Sequence, residues 1–351
     1  MSNNLILCNI PWYSGLSYYA ATVTRFLIKK NERVFWALER ETVLWNELTK
    51  IKGLELLPVR SRKPYDFFSN LKRINKIPQI NPQRILVFTG PDFLTSFFIK
   101  KAPDCKIIRF RTESYGLKKN FLNKFLYSKC DMIIAGNNKI KSEILALGID
   151  GKKIQTIYPC VDTEKFRVSP LPENVRIGFL GRLDNIKGID ILRDAMNIVW
   201  KRYPKVELYL AGEEVNYKWD DIKSDFKGPV KYVGRIGYEK VPAFLRDCLF
   251  GVIPSTGSEA TSRALIEWWS SGRPVVASSV GMLEEAVSDG QNGMLVRPSD
   301  SRALADAICS LLGNRKLIES MSFAAAKTAQ SDFSIESFEK NLIYVLITSY
   351  E

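Results

Sequence analysis

Two glutamates near one predicted helix start have side chains and a spacing that suit either acid/base catalysis or ligand binding. Glu259 and Glu267 lie in the stretch FGVIPSTGSEATSRALIEWWSSGRPVVAS, which runs from Phe250 to Ser278. Carboxylates are common general acids and bases. If most of the interval between them is helical, they lie roughly 10 to 12 Å apart along it, which is further apart than the carboxylate pairs of glycoside hydrolysis. We therefore expect each glutamate to hold a different end of one extended ligand.

The residues around these glutamates predict a strand, a loop and a helix that begins near Thr261 or Ser262. A helix start after a parallel strand offers backbone N–H groups and a positive dipole to a phosphate. A nucleotide diphosphate sugar fits this order, with Glu267 on the ribose, the backbone of 260–262 on the diphosphate and Glu259 on the sugar. The alternative is that Glu259 only assists helix capping and Glu267 lies on a solvated face.

A second candidate is the octet GRLDNIKG, which directly follows the predicted strand Val175–Leu180. Arg182 and Lys187 lie five residues apart in a loop that opens a helix, where ligands bind in doubly wound folds. Arginine presents a planar fork to a diphosphate, and lysine presents a compact charge. The alternative is that both are ordinary exposed surface cations.

Composition excludes several classes of protein. The 351 residues contain no histidine, 46% are hydrophobic and 25% are charged, which is typical of a soluble globular chain with two domains. Without histidine, the usual Ser-His-Asp and Cys-His nucleophiles are excluded. The six scattered cysteines form no C-x-x-C pair and are expected to be reduced core residues of a cytosolic protein. The N-terminus resembles no signal peptide, and no apolar run is long enough to span a membrane.

The net charge of +13 is concentrated in one half of the chain. Residues 1–160 carry all of the excess positive charge, whereas residues 161–351 are slightly acidic. This asymmetry predicts that the first half faces something anionic, either nucleic acid or a membrane; a solvated lysine-rich surface is the alternative. The candidate membrane-facing residues are Lys29, Lys30, Arg60, Arg62, Lys63, Lys100, Lys101, Lys118 and Lys119, with Trp12, Tyr13, Phe67, Phe68, Tyr115 and Phe121.

Apolar runs alternate with amphipathic segments on both sides of the proline-rich stretch Tyr158–Asn174, which predicts two parallel sheets with crossover helices. Gly15 precedes the first helical pattern, Ala20–Lys29, where it serves either a phosphate site or a plain tight turn. The predicted domains are residues 1–165, together with a final helix over 335–351, and residues 171–332.

An ordered set of motifs resembles the donor domain of family 4 retaining glycosyltransferases of the GT-B fold. The set is GRLDNIKG, VELYLAG, VKYVGRI, PSTGSEATSRALIEWWSSGRPVVASSVG and EEAVSDGQNGMLVRPSD, and it covers about residues 175–330. The resemblance implies two Rossmann-like domains that face a central cleft. It also implies that Arg182, Lys187, Glu259 and Glu267 bind the sugar nucleotide, and that Arg182, Lys187 and Glu259 are the catalytic residues. The sugar is expected to be transferred with retention, and no metal or other cofactor is expected to be required.

The chain departs from the family pattern at two places. Ala260, Thr261 and Ser262 replace a Gly-Phe-Gly sequence, so their side chains are expected to narrow the choice of donor. Many relatives have a histidine near the position of Thr112, so some of the neighbouring residues must substitute for it or that interaction is absent. These acceptor-side candidates are Arg109, Arg111, Thr112 and Glu113.

The sequence thus predicts a cytoplasmic glycosyltransferase, peripheral on the inner face of the plasma membrane. Its expected partners are a nucleotide sugar, a glycan or lipid-linked acceptor of the lipopolysaccharide type and an anionic membrane surface, with no nucleic acid. The alternatives are a nucleotide-sugar 2-epimerase of similar fold and a nucleic-acid-binding protein that uses the basic half.

Overall fold

The alternating apolar runs fold into two all-parallel sheets, which confirms the predicted α/β class with two Rossmann-like domains. The computed structural model describes residues 2–12, 14–60, 66–77, 80–113, 116–257 and 259–346. The chain divides into two compact units, Met1–Tyr158 with Glu339–Glu351, and Pro159–Phe338. Some residues of two predictions lie outside the described part: Tyr13, Arg62, Lys63 and Tyr115 of the membrane-facing set, and 347–351 of the final helix.

The first unit is built on a seven-stranded sheet in the order β3-β2-β1-β4-β5-β6-β7. Its strands are β1 (Asn3–Leu7), β2 (Arg33–Glu39), β3 (Leu54–Val59), β4 (Arg84–Val87), β5 (Lys106–Arg111), β6 (Met132–Ala135) and β7 (Ile154–Thr156). Its helices are α1 (Gly15–Lys29), α2 (Val43–Leu48), α3 (Phe67–Asn75), α4 (Gly90–Ser96), α5 (Phe121–Ser128) and α6 (Asn138–Leu145). Most strand residues are buried, as expected for parallel strands covered on both faces.

Helix α1 begins earlier than the predicted start at Ala20. Ser14 and Ser17 form a capping box, in which the backbone N–H of Ser14 donates to Ser17 Oγ at 2.7 Å and that of Ser17 donates to Ser14 Oγ at 3.4 Å. The residues after Gly15 are therefore helical, and Tyr19 is buried, with its hydroxyl donating to the carbonyl of Ile157 at 3.0 Å. The serine cap, rather than the apolar periodicity, determines where this helix starts.

The second unit has a six-stranded sheet in the order β10-β9-β8-β11-β12-β13. Its strands are β8 (Arg176–Leu180), β9 (Glu207–Ala211), β10 (Val230–Tyr232), β11 (Phe250–Ile253), β12 (Val275–Ser278) and β13 (Gly293–Val296). The helices from here to the end of the described chain are α7 (Ile189–Arg202), α8 (Trp219–Ile222), α9 (Val241–Arg246), α10 (Arg263–Ser270), α11 (Met282–Ala286), α12 (Ser301–Leu312), α13 (Arg315–Asp332) and α14 (Ile335–Leu346). The division between units falls within α14, and Glu339 forms an ion pair of 2.8 Å with Lys29 of α1 in the first unit.

Two glycines that pair across neighbouring strands let helix α10 pack closely on the second sheet. Gly178 of β8 and Gly251 of β11 are direct partners in the parallel ladder. A Cβ atom would lie 2.4 Å from Trp268 Cη2 if placed on Gly178, and 2.5 Å from Trp268 Cδ2 if placed on Gly251. The fully buried indole of Trp268 therefore lies on bare backbone of both strands. Since Trp268 follows Glu267, this contact also fixes the height of Glu267 above the sheet.

A buried arginine holds the other end of α10. The guanidinium of Arg273 donates to the carbonyl oxygens of Ser169, Pro170, Arg246 and Cys248 at 2.8 to 3.0 Å. Burial lowers the pKa of Arg273 to about 10. The segment that enters the second unit is thus joined to α9 and α10 by one side chain whose charge is solvated by backbone dipoles.

The described cysteines form no disulfide. Cys8, Cys130, Cys160 and Cys248 are buried, and burial raises the pKa of the Cys130 and Cys248 thiols to about 12, so these two are unreactive. In the described part of the chain, no helix combines the length and hydrophobicity that crossing a membrane requires. No group of three or more cysteines or acids there is placed to hold a metal ion.

We predict that Gly178→Ala destabilises the second unit by about 2 kcal/mol, because the added methyl forces Trp268 off the sheet. Urea unfolding monitored by tryptophan fluorescence should show an earlier transition for this unit. The control is Gly237→Ala, because a Cβ there meets no atom within 4 Å. Equal unfolding midpoints for the two variants would contradict the proposed packing of Trp268 on Gly178.

Candidate functional site

Arg182 and Lys187 lie in the loop that follows β8, and Glu259 lies in the loop that follows the neighbouring strand β11. The loop after β12, the next strand of the sheet, ends beside them. Parallel strands end at the same edge of a sheet, so these loops are neighbours. Two hydrogen bonds join the first two loops: the backbone N–H of Thr256 donates to the Ile186 carbonyl at 2.9 Å, and Thr256 Oγ1 donates to the Asn185 carbonyl at 2.8 Å. The GRLDNIKG loop and the Glu259 loop therefore form one connected structure.

A glycine permits the close approach of these loops. Gly188, the N-cap of α7, has a φ of +68°, and a Cβ atom there would lie 2.0 Å from the carbonyl oxygen of Pro254. No other residue type fits this position without moving one of the loops.

Asp184 organises the GRLDNIKG loop. It is almost fully buried, and its Oδ1 accepts from the backbone N–H of Lys187 at 2.7 Å. Its Oδ2 pairs with Nη2 of Arg182 at 2.8 Å, while the Arg182 side chain remains 53% exposed. Asp184 thus holds both predicted cations without removing the guanidinium from solvent.

Lys187 and Glu259 meet across the two loops. Lys187 Nζ contacts Glu259 Oε1, and Ser255 Oγ donates to the same oxygen at 2.5 Å. Glu259 is 5% exposed and the Lys187 side chain is 28% exposed. The carboxylate is therefore fixed from the protein side, and the ammonium lies nearer to solvent.

The backbone of Glu259 is held by the loop after β12. The N–H of Met282, the first residue of α11, donates to the Glu259 carbonyl at 2.7 Å. The preceding residue, Gly281, has a φ of +55°, and a Cβ on it would lie 2.5 Å from the same carbonyl oxygen. All three strand-end loops thus converge on Glu259.

Helix α10 begins at Arg263, directly after the predicted phosphate-binding residues Ala260, Thr261 and Ser262. Ser262 is its N-cap residue, but its side chain makes no capping hydrogen bond, and its backbone N–H lies 3.4 Å from Met282 Sδ, a weak acceptor. The positive end of the α10 dipole is therefore not neutralised by a Ser262 cap.

Glu267 lies within α10 and is 2% exposed. Its Oε1 is 2.8 Å from Nε of Arg263, one turn earlier. Burial raises the pKa of Glu267, and the Arg263 charge opposes that shift. The Arg263 guanidinium also lies 5.2 Å from the centre of the Tyr238 ring, which the ammonium of Lys165 approaches at 4.1 Å. Glu267 therefore lies in a buried, cation-rich setting.

The structure shows what holds each of the two glutamates, which bears on the capping and solvated-face alternatives. Neither lies on a solvated face, and Glu259 binds Lys187 and Ser255 rather than a helix N–H. Only the second half of the interval between the glutamates is helical, because α10 starts at Arg263. Arg182, Lys187 and Glu259 are brought together, whereas Glu267 pairs with Arg263 further along α10.

The acceptor-side candidates form a separate buried cluster in the first unit. Glu113 pairs with Nη2 of Arg109 at 2.5 Å and with Nη1 of Arg111 at 2.8 Å. Burial opposes ionisation of Glu113, but the two guanidiniums lower its pKa below the usual range. Arg109 also donates to the Val87 carbonyl at 3.1 Å. The Thr112 hydroxyl, buried beside them, has no hydrogen-bond partner among the described residues.

Gly15 is the first residue of α1, next to the Ser14 cap, at the end of the loop that follows the central strand β1. This position corresponds to a strand-to-helix junction, and its role in binding stays a prediction.

Sequence reasoning missed the residues that position the site: Asp184, Ser255, Arg263 and Tyr238. Two of them carried a readable signal. Arg263 precedes Glu267 by four residues, the spacing of an ion pair within a helix. Asp184 precedes Lys187 by three, the spacing of a side chain that caps a turn. Ser255 lies four residues before Glu259 in the same loop, but no regular element fixes how that loop folds back. Tyr238 reaches the site through a tertiary contact that no local pattern records.

Comparison with known proteins identifies the domain that contains this site. The model of the family described as Glycosyl transferases group 1 matches residues 174–314. That stretch is a glycosyl transferases group 1 domain. The match covers the three converging loops, Glu267, and the two glycines on which Trp268 packs. It confirms the resemblance seen in the sequence.

Relatives of the glycosyltransferase domain include enzymes with different functions. The chain is 29% identical over 173 residues to phosphatidyl-myo-inositol mannosyltransferase of Mycobacterium leprae, covering 49% of this chain and 46% of that one. It is 27% identical over 262 residues to mannosylfructose-phosphate synthase of Agrobacterium fabrum, covering 66% and 57%. The chain thus spans about half the length of the curated relatives it matches.

The whole chain has the fold of known GT-B structures. The Anabaena protein HepE, solved in complex with UDP and glucose, superposes with a TM-score of 0.82 at 18% identity, over 99% of this chain and 100% of that one. At that identity the likeness establishes the fold alone.

We predict that Glu267→Gln becomes more stable relative to wild type as pH rises above 4.5, the ordinary pKa of the carboxyl. The raised folded pKa means that ionisation costs more in the folded state than in the unfolded state, and glutamine avoids that cost. Urea midpoints of the second unit at pH 4.5 and pH 8 measure the change.

The matched control is Glu113→Gln in the first unit, for which the sign reverses. Because the folded pKa of Glu113 is lowered, its ionised form stabilises the protein above pH 4.5, and that stabilisation is lost as pH falls through the folded pKa. This variant should be least stable relative to wild type at pH 8. The same pH trend in both variants would refute the assignment of the two environments.

Proposed function

We propose that the chain is a glycosyltransferase that transfers a sugar, with retention of configuration, from a nucleotide diphosphate sugar to a glycan or lipid-linked acceptor of the cell envelope. The observation that carries this proposal is the Lys187–Glu259 contact, which lies where three strand-end loops converge and close to the uncapped start of α10. The contact combines a cation for phosphate with a fixed carboxylate for sugar hydroxyls in one loop assembly.

The diphosphate is the part of the donor that the cations recognise. Arg182 is exposed enough to close on it, and Lys187 can exchange Glu259 for a phosphate oxygen. The backbone of Ala260, Thr261 and Ser262 lies before the α10 start, where the helix dipole adds to the attraction for an anion. The charge that develops on the leaving diphosphate is thereby stabilised by the protein, and the proposed reaction requires no metal.

The two carboxylates recognise hydroxyl groups. Glu259 accepts hydrogen bonds from the donor sugar once Lys187 turns to the phosphate. Glu267 accepts from the ribose, with Arg263 holding its orientation. A buried carboxylate that is already positioned loses little entropy on binding a hydroxyl, so it discriminates well between sugars.

The acceptor is assigned to the first unit. The charge of that half and the similarity to a mycobacterial phosphatidyl-myo-inositol mannosyltransferase support a lipid-linked acceptor at an anionic membrane. In this proposal the cluster of Arg109, Arg111 and Glu113 lies on the acceptor side, next to the buried Thr112 hydroxyl, which has no hydrogen-bond partner among the described residues. The comparisons favour neither the epimerase nor the nucleic-acid alternative.

We predict that Lys187→Ala and Glu259→Gln each lower kcat/KM for transfer by about 100-fold or more, because each removes a charged contact to the reacting donor. The donor is first found by thermal shift against UDP-, GDP- and ADP-sugars, since a ligand at 100 times its Kd adds about 2.7 kcal/mol of stability. The control is Lys205→Ala, an exposed lysine of the same unit. Turnover like that of wild type in both site variants would disprove the assignment.

Retention of configuration and independence from metal ions can each be tested on the purified enzyme. The product should keep the anomeric configuration of the donor, measured from the anomeric proton coupling in NMR, and excess EDTA should leave the rate within about twofold of its value without chelator. An inverted product would refute retention while leaving the donor site intact. A rate that vanishes with EDTA and returns with a divalent ion would refute metal independence.

A further inference from the structure

Helix α5 of the first unit is apolar on both sides. Its inner side is occupied by Tyr127, which is 2% exposed and meets the ring of Phe93 edge-on at 5.1 Å between centroids. Large apolar side chains also point outward from it: Phe121, Leu122 and Phe125. They are 84%, 58% and 47% exposed, and the two phenylalanine rings stack on each other at 6.4 Å. Since its inner side is already packed, the outer side of α5 is available for something beyond the folded unit.

The exposed apolar surface continues onto α3 and the end of α4. Phe68, Leu94 and Phe98 are 78%, 45% and 58% exposed. Phe67 connects two of them, with its ring 5.2 Å from that of Phe68 and 5.8 Å from that of Phe98. A cavity of about 570 Å³, lined by Phe67, Leu94 and Leu122 among others, lies between these helices. We call Phe68, Leu94, Phe98, Phe121, Leu122 and Phe125 the aromatic face.

Cations surround the aromatic face. Exposed lysines and one arginine lie on or beside its helices: Lys72, Arg73, Lys100, Lys118, Lys119, Lys124 and Lys129. None of them forms an ion pair with a residue in the described part of the chain. The ammonium of Lys129 lies 5.5 Å from the centre of the Phe125 ring, so charge and aromatic surface are directly adjacent.

Few acids offset this charge. Asp66 is buried, Asp92 accepts from the Asn9 backbone and from Thr89, and Glu113 is enclosed by two arginines. In the described segments 66–77, 90–113 and 116–129, the exposed acid is Asp104. The face is therefore apolar at its centre and positive around it.

We propose that the aromatic face docks on an anionic phospholipid bilayer, with Phe121 and Phe125 entering the headgroup boundary and the surrounding lysines meeting lipid phosphates. Rings at the interface with lysines beside them suit a bilayer, because lysine stems lie along the apolar layer while their ammonium groups stay in water. Single-stranded nucleic acid also binds aromatic rings that have cations beside them. The exposed aliphatic side chains of Leu94 and Leu122 favour the bilayer, because they offer no ring on which a base can stack. The proposal rests on the membrane-surface part of the proposed function and identifies which residues make that contact.

The interaction is testable by flotation of the full chain with vesicles of phosphatidylglycerol and phosphatidylcholine at low salt. Wild type should float, and the double variant Phe121→Ser/Phe125→Ser should lose at least about tenfold in partitioning. Lys118→Glu/Lys119→Glu should lose binding at low salt, and binding of wild type should weaken at high salt. The matched control is Phe323→Ser, an aromatic residue of the second unit that is 75% exposed and should float like wild type.

Each outcome bears on the proposal. Flotation of the phenylalanine variant equal to that of wild type would overturn the assignment of the face, and failure of wild type to float would overturn the membrane contact. A wild-type dimer in gel filtration that the phenylalanine variant abolishes, without vesicle binding, would assign the face to self-association instead. Stabilisation by the nucleotide sugar, measured on the same variants, reports separately on the donor site and should not change.

Discussion

The donor site depends on one packing constraint: helix α10 lies on two strands that carry glycine where the helix contacts them. Gly178 and Gly251 face each other across the ladder, and the indole of Trp268 occupies the space that their side chains would take. The contact is one of shape, since neither glycine contributes a polar side chain. It nevertheless fixes where α10 starts and where Glu267 lies, because the helix is rigid between Arg263 and Ser270. A packing requirement within the sheet thus sets the geometry of a polar site above it.

Charges inside the protein are compensated in different ways, and the difference separates structural groups from binding groups. Arg273 is surrounded by carbonyl oxygens, and Glu113 by two guanidiniums, so the charge of each is stabilised within its own unit. Removing a partner from such a pair leaves a buried charge and is costly. Lys187 and Arg182 also pair with carboxylates, but both remain open to solvent, so an anion can compete for them. Partial exposure, rather than charge alone, distinguishes the candidate ligand contacts.

The sequence predicted the strands and the loops that carry Arg182, Lys187, Glu259 and Glu267, because strand periodicity and loop motifs are local properties. It misjudged the start of α1, where a serine capping box outweighed an apolar pattern. It also could not anticipate that Ser255 supports Glu259, because that hydrogen bond depends on how the loop folds back. Local pattern predicts which residues reach the sheet edge, whereas tertiary contacts decide how each is held.

The order of exposure across the donor site follows the chemistry of the proposed ligand. Arg182 and Lys187 are the accessible members, and Glu259 and Glu267 are buried. Attraction between a cation and a diphosphate acts over several ångströms and tolerates movement of the side chain. A hydrogen bond to a hydroxyl requires a narrow range of distance and angle. Flexible cations can therefore bind the diphosphate first, and the rigid carboxylates can then select for the correct sugar and ribose. Affinity and selectivity thus come from different residues of one loop assembly.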